Sequence, residues 1–382
     1  MTKIIEPGQT IGIIGGGQLG KMLAQSAQEM GYRIAVYDPS PDACAFGVAH
    51  ETTVGAFDDP EAILAFAKSV DVLTYEFENV SGEILSTLED ETNFPQGSKL
   101  LIKSQDRIVE KTWLNDLGIK TVPFAGAESF KEVVSALEDF DYKAIIKTTR
   151  FGYDGKGQMK ITSKDDLDQS AVEALLSEQA LIVEQLSDFD YEASIIVSRN
   201  PADQIEIFPM SVNEHAAGVL FKATTTNEIR PELQSQLTDL ATKIAHEGEL
   251  VGVCAIELFI TADGDVLVNE LAPRPHNSGH QTIEACNVSQ FDQHILAVCN
   301  RPLAPVKLLT PTMMINILGQ HMDKAYKLMA EQADIHYHIY GKVGKKRQRK
   351  MGHMTLLFDE VDDIKAFEES STLLDNWEKA YY

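Results

Sequence analysis

Apolar runs of strand length alternate with amphipathic segments at the start of the chain. Strand-like runs occupy Thr10–Ile14, Arg33–Asp38 and Val70–Phe77. Between the first two runs, apolar residues recur at helical spacing up to Gly31. Asp59-Pro60 supplies a capping residue and a first-turn proline for a second helix. Strands that alternate with helices predict a parallel, doubly wound α/β sheet.

A second pattern consists of two apolar runs around a tight turn. Val251–Ile260 and Asp265–Leu271 flank Asp263-Gly264, a dipeptide typical of two-residue hairpin loops. Such a loop places Glu257 directly opposite Glu270, whereas a three-residue loop breaks this register. Both runs are apolar on both faces, which predicts a sheet that is covered on both sides.

Two opposed carboxylates on a covered sheet repel each other unless a proton or a cation lies between them. Mg²⁺ commonly joins one or two carboxylates to substrate phosphates. Glu257 and Glu270 are therefore candidate metal ligands. The alternative is a pair at a sheet edge that points into water.

The middle of the chain carries cations beside a glycine-rich segment. Ser104 is expected to cap a helix with Arg107 and Lys111 on one face, where the two cations meet either phosphates or water. A following strand carries Lys147 and leads into residues 152–158, with three glycines whose N–H groups can cover a triphosphate. A further strand ends at Glu184-Gln185-Leu186-Ser187, where the backbone can hydrogen-bond a planar base.

Composition narrows the class of protein. At 382 residues the chain is long enough for two or three domains, and its net charge of −25 argues against a nucleic-acid or anionic-membrane surface. Four cysteines without metal-type spacing are typical of reduced thiols. With no apolar run long enough to span a bilayer, these features predict a cytoplasmic protein.

The loop Gly15-Gly16-Gly17-Gln18-Leu19-Gly20 has two interpretations as a ligand site. It fits a dinucleotide-binding pattern with Asp38 as the ribose-binding acid, or a general anion site at a helix N-terminus. Glycines needed only for close packing are the structural alternative. A P-loop is rejected, because Met22 stands where a Ser or Thr hydroxyl binds Mg²⁺.

The third apolar run ends in polar residues. Glu76, Glu78 and Asn79 follow it, and ligands of open α/β sheets bind at the carboxyl ends of strands. These side chains either touch a sugar or an amine, or lie in a solvated loop.

Together these motifs resemble the ATP-grasp superfamily and, within it, the 5-(carboxyamino)imidazole ribonucleotide synthases of purine biosynthesis. The resemblance rests on Lys147, GYDGKGQ, EQLS, Glu257, NELAPRPHNSGH, IGIIGGGQLGKML, TYEFENV and YGK…RKMGH, in that family's order and spacing. It implies an α/β ATP-grasp fold with an N-terminal pre-ATP-grasp domain, a small flap domain and a C-terminal α+β domain. The expected boundaries are 1–110, 111–188 and 189–382.

The resemblance also implies roles for individual residues. It assigns ATP binding to Arg107, Lys147, Gly152, Tyr153, Asp154, Gly155, Lys156, Gly157, Gln158, Glu184, Gln185, Leu186, Ser187, Glu192, His215, Asn269 and Glu270. It assigns the catalytic site to Arg274, His276 and Asn277, and the metal to Glu257 and Glu270. It assigns the ribonucleotide and bicarbonate to Gly17, Gln18, Leu19, Glu76, Tyr153, Asp154, Arg274, Lys342 and Arg349.

The implied reaction is ATP- and bicarbonate-dependent carboxylation of the amine of 5-aminoimidazole ribonucleotide through carboxyphosphate. The expected cofactor is Mg²⁺, with Mn²⁺ as a substitute, and neither nicotinamide nor biotin is expected. A homodimer is implied, without nucleic-acid or membrane partners. The alternatives are another ATP-grasp ligase such as a formate-dependent purine transformylase, a nicotinamide-dependent dehydrogenase built on the glycine loop, and a non-catalytic nucleotide sensor.

One segment departs from that family's pattern. Lys346, Arg347 and Gln348 stand where the family often has Arg-Pro-Gly. Without Pro-Gly the turn is expected to be less fixed, and the position of Arg349 with it. The phosphate-binding charge is retained, because the run from Lys345 to Lys350 holds five cations in six residues.

Overall fold

The computed structural model describes residues 3–150 and 157–381. Its strands are β1 (Thr10–Ile14), β2 (Arg33–Asp38), β3 (Glu51–Val54), β4 (Val72–Tyr75), β5 (Phe124–Ala127), β6 (Ala144–Thr148), β7 (Gln158–Ile161), β8 (Leu181–Gln185), β9 (Tyr191–Arg199), β10 (Ile205–Ile207), β11 (Ser211–Ala216), β12 (Val219–Thr225), β13 (Gly252–Ile260), β14 (Val266–Ala272), β15 (Thr312–Leu318), β16 (His336–Ile339) and β17 (Lys350–Leu357). Its helices are α1 (Gln18–Glu29), α2 (Pro60–Lys68), α3 (Gly82–Leu88), α4 (Lys99–Ser104), α5 (Arg107–Asp116), α6 (Phe130–Asp139), α7 (Gln169–Leu176), α8 (Pro231–Glu247), α9 (Thr282–Ala285), α10 (Gln290–Val298), α11 (Met322–Glu331), α12 (Val361–Ser370) and α13 (Thr372–Glu378).

The chain divides into two compact units. The first contains residues 1–101, 193–256 and 272–382, and the second contains residues 102–192 and 257–271. The division into domains 1–110, 111–188 and 189–382 stays a prediction.

The first unit begins with the predicted parallel sheet, in the order β3-β2-β1-β4. Helix α1 buries the apolar face expected from its spacing, Leu19, Met22, Leu23 and Ala27, and Gly31 follows it with a positive φ of 86°. The Asp59 side chain accepts a hydrogen bond from the Ala62 N–H at 3.0 Å and caps α2 as predicted. The expected third strand is the fourth in chain order, because the exposed strand β3 precedes it.

A larger sheet also lies in this unit. Its strands follow the order β13-β9-β11-β12-β15-β17-β16, with β10 beside β9. Three helices (α11, α12 and α13) belong to the same part of the chain, and Trp377 and Ile364 are buried in a core shared with Met313, Ile315 and Met354 of the sheet. Apolar burial on this face stabilises the carboxyl-terminal part of the chain.

The second unit contains an antiparallel sheet in the order β5-β8-β6-β7. Helices α6 and α7 contribute Val133, Leu137 and Val172 to a core with Ile146 and Val183 of the sheet. Strand β8 is internal, and the N–H groups of Gln185 and Leu186 already donate to the carbonyl oxygens of Pro123 and Lys143. A base that docks here therefore has to use other backbone groups of this segment.

The hairpin loop between β13 and β14 has three residues. Thr261 N–H donates to the Asp265 carbonyl at 3.0 Å, and Gly264, with a φ of 87°, donates to the Thr261 carbonyl at 2.9 Å. The glycine forms the bulge that such loops require. The predicted two-residue loop is wrong, and so is the direct opposition of Glu257 and Glu270 that depended on it.

The predicted cap of α5 is also wrong. Ser104 is the last residue of α4, and the Asp106 side chain instead accepts from the N–H groups of Ile108 and Val109 at 3.1 and 3.2 Å. A charged acceptor with two short bonds at the helix start is the stronger cap. Among the described helices, none combines the length and the apolar character needed to cross a bilayer.

Candidate active site

A buried carboxylate lies between two lysines in the second unit. Glu184 Oε2 lies 2.5 Å from Lys147 Nζ, and its Oε1 lies 3.2 Å from Lys111 Nζ. Burial by itself raises the pKa of Glu184, but the two lysines lower it below its ordinary value. The carboxylate therefore stays charged and fixes both cations in one place.

Lys111 ties this cluster to β14. Its side chain is 1% exposed, and its Nζ donates to the Asn269 carbonyl at 2.7 Å. The neighbouring Glu110 accepts from the Leu271 N–H at 3.1 Å. Burial raises the pKa of Glu110 well above its ordinary value; Lys111 opposes this shift and the Glu270 carboxylate adds to it. The electrostatic coupling places the Glu270 carboxylate close to that of Glu110.

The hairpin carries oxygen donors suited to a hard cation. Asn269 Nδ2 lies 3.5 Å from Glu257 Oε2, and Glu270 follows directly along β14. Within residues 3–150 and 157–381, no three acidic, histidine or cysteine side chains are grouped so as to hold a metal by themselves. Glu257 and Glu270 stay the predicted ligands of a Mg²⁺ ion, whose usual environment also includes water and phosphate oxygens.

The other predicted ATP-binding residues lie in both units. In the second unit, Arg107 Nη1 donates to the Thr148 carbonyl at 3.0 Å, and Gln158 pairs with Lys147 across β7 and β6. The carbonyl of Gly157, a residue with a φ of 72°, accepts from the Thr148 N–H, and Glu192 is the second residue of β9. His215 lies in the first unit, on β11. Gly152, Tyr153, Asp154, Gly155 and Lys156 lie outside the described residues.

Two backbone N–H groups of the glycine loop in the first unit donate to buried or half-buried carboxylates. Gly17 N–H donates to Glu76 Oε1 at 2.8 Å, and Gly16 N–H donates to Asp38 Oδ2 at 2.7 Å. A Cβ at Gly15 would lie 2.7 Å from Glu76 Cγ, so this position admits only glycine. Burial raises the pKa of Glu76 to about 7, although the Gly17 hydrogen bond and Arg274 oppose the shift. An anion that binds at this loop must accept from the other N–H groups at the start of α1, because the N–H groups of a first helical turn have no partner within the helix.

Two of the predicted phosphate-binding cations lie near each other in the same unit. Burial lowers the pKa of Lys342 to about 8, and Arg349 and Lys350 lower it further against the opposing effect of Cys44 and Glu76. Arg349 itself donates from Nη1 to the Val343 carbonyl at 2.6 Å. The turn before it persists without Pro-Gly, since Gln348 takes a φ of 62° and donates its N–H to Gln320 Oε1 at 2.8 Å.

Arg274 is held by a carboxylate. Its Nη2 donates to Glu78 Oε1 at 2.6 Å, its Nε donates to Glu78 Oε2, and its Nη1 donates to the Pro275 carbonyl at 3.0 Å. Burial by itself raises the pKa of Glu78, but Arg274 lowers it below its ordinary value. Of the two interpretations of the segment after β4, a ligand site fits better than a solvated loop, because Glu76 is buried and Glu78 orients a predicted catalytic side chain.

His276 and Asn277 lie next to this arginine in the chain. Burial lowers the pKa of His276 well below 6.5, and Arg274 and Lys350 lower it further, so the ring is neutral near pH 7. Asn277 is 7% exposed, and within the described part of the chain neither atom of its amide meets a hydrogen-bond partner. A buried amide without partners is costly, which is the environment of a side chain that binds a ligand.

Comparison with known proteins identifies the family. Family models match at residues 8–104 (ribonucleotide synthetase preATP-grasp domain), 112–291 (ATP-grasp domain) and 312–366 (phosphoribosylaminoimidazole carboxylase C-terminal domain). The N5-carboxyaminoimidazole ribonucleotide synthase of Staphylococcus haemolyticus is 43% identical over 367 residues, which cover 94% of this chain and 97% of the relative. The chain belongs to the N5-carboxyaminoimidazole ribonucleotide synthase family.

Solved structures of synthases share the fold. The Staphylococcus aureus synthetase complexed with ADP has a TM-score of 0.92 and 41% identity, with coverage of 96% of this chain and 98% of that one. The Aspergillus clavatus synthase complexed with ADP and 5-aminoimidazole ribonucleotide has a TM-score of 0.87 and 25% identity, with coverage of 97% and 99%. The predicted ATP-grasp fold with its N-terminal parallel sheet is confirmed, and this synthase is an ATP-dependent ligase.

Several residues that contact the predicted site residues have no role in the sequence-based prediction. Lys111 and Glu110 were not given a binding role, and Ser278 and Gln290, which contact His276, carried no signal of their own. The i, i+4 spacing of Arg107 and Lys111 was the one available hint, and it left open whether Lys111 was solvated.

Proposed function

We propose that this synthase uses ATP and bicarbonate to carboxylate the amine of 5-aminoimidazole ribonucleotide, giving 5-carboxyaminoimidazole ribonucleotide, ADP and phosphate in purine biosynthesis. The observation that carries the proposal is the buried amide of Asn277, which meets no hydrogen-bond partner among the described residues and lies beside His276 and Arg274 in the sequence. The ADP and ribonucleotide complexes of the relatives support the two larger substrates.

The nucleotide phosphates bind near Lys147 and Lys111 in this proposal. The Glu184 carboxylate holds both ammonium groups in place before the nucleotide arrives, so little reorganisation is needed on binding. Arg107, Asn269, Glu184–Ser187, Glu192, His215 and the 152–158 segment complete the ATP site, as the family resemblance implies.

Glu257 and Glu270 hold the divalent cation, Mg²⁺ or Mn²⁺. When bound, the ion offsets charge on the phosphoryl oxygens during transfer. Burial raises the pKa of Glu110 well above its ordinary value, which favours the neutral acid and limits the negative charge that it adds near Glu270.

The chemistry has two steps. A bicarbonate oxygen attacks the γ-phosphorus of ATP and ADP leaves, which gives carboxyphosphate. The amine nitrogen then forms a bond to the carboxyl carbon, of carboxyphosphate or of CO₂ released from it, and phosphate leaves. Arg274, oriented by Glu78, binds the carbonate oxygens through its remaining N–H groups, and Tyr153 and Asp154 line this site by resemblance.

The ribonucleotide phosphate binds at the start of α1 together with Lys342 and Arg349. Burial is the main cause of the lowered pKa of Lys342, and an anion among these cations offsets the further lowering by Arg349 and Lys350. Glu76, at the other side of the loop, accepts from the sugar or the amine. The four free cysteines fit the reducing cytoplasm that we infer for this enzyme, and a homodimer stays a prediction.

The deciding experiment measures phosphate release from MgATP and bicarbonate, with and without 5-aminoimidazole ribonucleotide. We expect the ribonucleotide to stimulate release and to appear as its carboxylated product. Stimulation by formate with a formylatable ribonucleotide would instead support a transformylase. A rate of phosphate release that no ribonucleotide changes would overturn the proposal.

A further inference from the structure

The backbone of His276 is held by one buried side chain. Gln290, the first residue of α10 and 0% exposed, accepts from the His276 N–H at 2.8 Å and donates to the His276 carbonyl at 2.8 Å. Both polar backbone groups of His276 are thereby satisfied. The backbone that carries the imidazole is therefore fixed. Other contacts must determine which of the two ring nitrogens is protonated.

A chain of buried side chains leads to one of those nitrogens. Asn213 Nδ2 donates to Ser194 Oγ at 3.1 Å, and Ser194 Oγ donates to Ser278 Oγ at 2.6 Å. Ser278 Oγ lies 2.8 Å from His276 Nδ1. Asn213, Ser194 and Ser278 are 6%, 2% and 1% exposed, so water does not compete for these bonds.

The chain has a direction. An amide NH₂ group can only donate, and each serine hydroxyl has a single proton. Ser194 gives its single proton to Ser278, and the other partner of the Ser278 hydroxyl among the described residues is His276 Nδ1, which takes the Ser278 proton. The Ser278 N–H also points at Nδ1, at 3.4 Å, and a backbone N–H can never accept. Nδ1 is therefore an acceptor, and a neutral ring with an accepting Nδ1 carries its proton on Nε2.

We propose that Asn213, Ser194 and Ser278 are positioning residues that hold His276 in the Nε2–H tautomer, so that the ring donates a hydrogen bond to an oxygen of the carbonate or carboxyphosphate group. In this role His276 fixes the reacting carboxyl group and does not remove the proton of the amine. The identity of the acceptor rests on the proposed function. The assignment of the tautomer does not depend on the proposed function.

The tautomer is measured directly by ¹⁵N NMR of the full chain labelled in its histidine rings. The His276 resonances are assigned by their loss in His276→Asn. In the unliganded protein between pH 6 and 8, we expect an unprotonated Nδ1 and a protonated Nε2 for this ring. A protonated Nδ1 in the wild-type protein would overturn the proposal, whatever the enzyme turns out to carboxylate.

Two substitutions test the chain. Asn213→Asp keeps the shape but replaces the donor with an acceptor, which draws the Ser194 proton away from Ser278. Ser278→Ala removes the hydroxyl from Nδ1. Both are expected to raise the population of the Nδ1–H tautomer and to lower kcat about 100-fold, the scale for loss of one preorganised donor, with little change in the KM for ATP.

The matched control is Ser26→Ala, which removes a buried hydroxyl bonded to Asp292 Oδ1 at 2.6 Å and touches no part of the chain to His276. It should leave tautomer and kcat as in the wild type. If Ser278→Ala fails to fold, Ser194→Ala interrupts the same chain one residue further away. Folded variants with an unchanged tautomer, or with a changed tautomer and full kcat, would contradict the proposal.

Discussion

Glu78 binds the guanidinium of Arg274 through both carboxylate oxygens. The pair lies in the first unit, with 13% of the Arg274 side chain and 35% of the Glu78 side chain exposed. Bidentate pairs of this kind set the plane of the guanidinium as well as its position. In the proposed reaction, the face of Arg274 that meets the carbonate is therefore set by Glu78, which does not itself need to touch the substrate.

Glu78→Gln should lower kcat/KM for bicarbonate about tenfold, because the amide NH₂ cannot accept from Arg274, so one of the two bonds is lost and the other no longer has a charged acceptor. Steady-state kinetics at saturating ATP measure this effect. Glu51→Gln, which weakens an exposed pair with Arg33 at 3.2 Å, is the control and should change nothing. Equal kinetics in the two variants would show that Glu78 does not orient Arg274.

Lys111→Met should reduce the free energy of unfolding by about 3 kcal/mol, because it leaves the buried Glu184 with one cation in place of two. Urea denaturation of the two variants gives the comparison. Lys120→Met removes an exposed partner of Asp265 and should cost less than about 1 kcal/mol. A loss as small for Lys111 as for Lys120 would mean that the buried pair contributes little.

Glu76→Gln should make stability less dependent on pH. The folded chain binds the Glu76 proton more tightly than the unfolded chain, since the pKa is about 7 against an ordinary 4.5. The contribution to stability is complete below pH 4.5 and falls by about 3 kcal/mol as the pH rises through 7. We expect the variant to gain stability over the wild type between pH 5 and pH 8, measured by urea denaturation.

The exposed Glu29→Gln is the control for that series, and its stability relative to the wild type should stay level across the same range. A wild-type protein that is as stable at pH 8 as at pH 5, relative to Glu76→Gln, would contradict the buried proton.

Glu270→Gln should raise the Mg²⁺ concentration for half-maximal activity about tenfold or more, because a neutral amide is a weaker ligand for a hard cation than a carboxylate. Titration of activity with Mg²⁺, alongside circular dichroism of the folded variant, makes the measurement. Asp265→Asn changes an exposed acid next to the same hairpin loop and should leave the titration unaltered. Unaltered Mg²⁺ dependence in Glu270→Gln would remove this residue from the metal site.

Gln348→Gly should stabilise the protein by about 1 kcal/mol, because the φ of 62° at this position is costly for a residue with a Cβ. Lys346→Gly, in the same loop but without a positive φ, should be destabilising through the greater freedom of the unfolded chain. Thermal unfolding compares the two. A stabilising effect of both substitutions, or of neither, would show that φ is not the cause.

Local patterns in the sequence predicted the elements with strong periodicity or clear caps. Strands β1 and β2, helix α1 and the Asp59 cap of α2 all lie where expected. Strand β3 was missed because its four residues are all exposed, so it has no apolar alternation, and it exists through its pairing with β2.

The features that the sequence predicts wrongly, the hairpin loop and the cap of α5, each depend on one or two hydrogen bonds. Whether the hairpin has two or three loop residues is decided by which carbonyl the Thr261 N–H meets, and Asp263-Gly264 fits both loop types. Ser104 and Asp106 are both good capping residues, and the choice between them lies in the geometry of the turn. Ser278 lies close to His276 in the chain, but Ser194, which donates to Ser278, is 84 residues away from Ser278, so only the fold completes this hydrogen-bond chain.

The two hydrogen bonds between Gln290 and the His276 backbone restrict the ligands that the first unit can bind. Gln290 begins α10, and α10 packs on α1 through a shared apolar core. Gly17 caps the start of α1. The span from Gly17 to His276 is therefore set by two close-packed helices, which resist compression far better than loops do. A ligand that reaches from Gly17 to His276 must match that span in length. The packing of the helices, rather than the surface of the site, therefore selects ligands by their length.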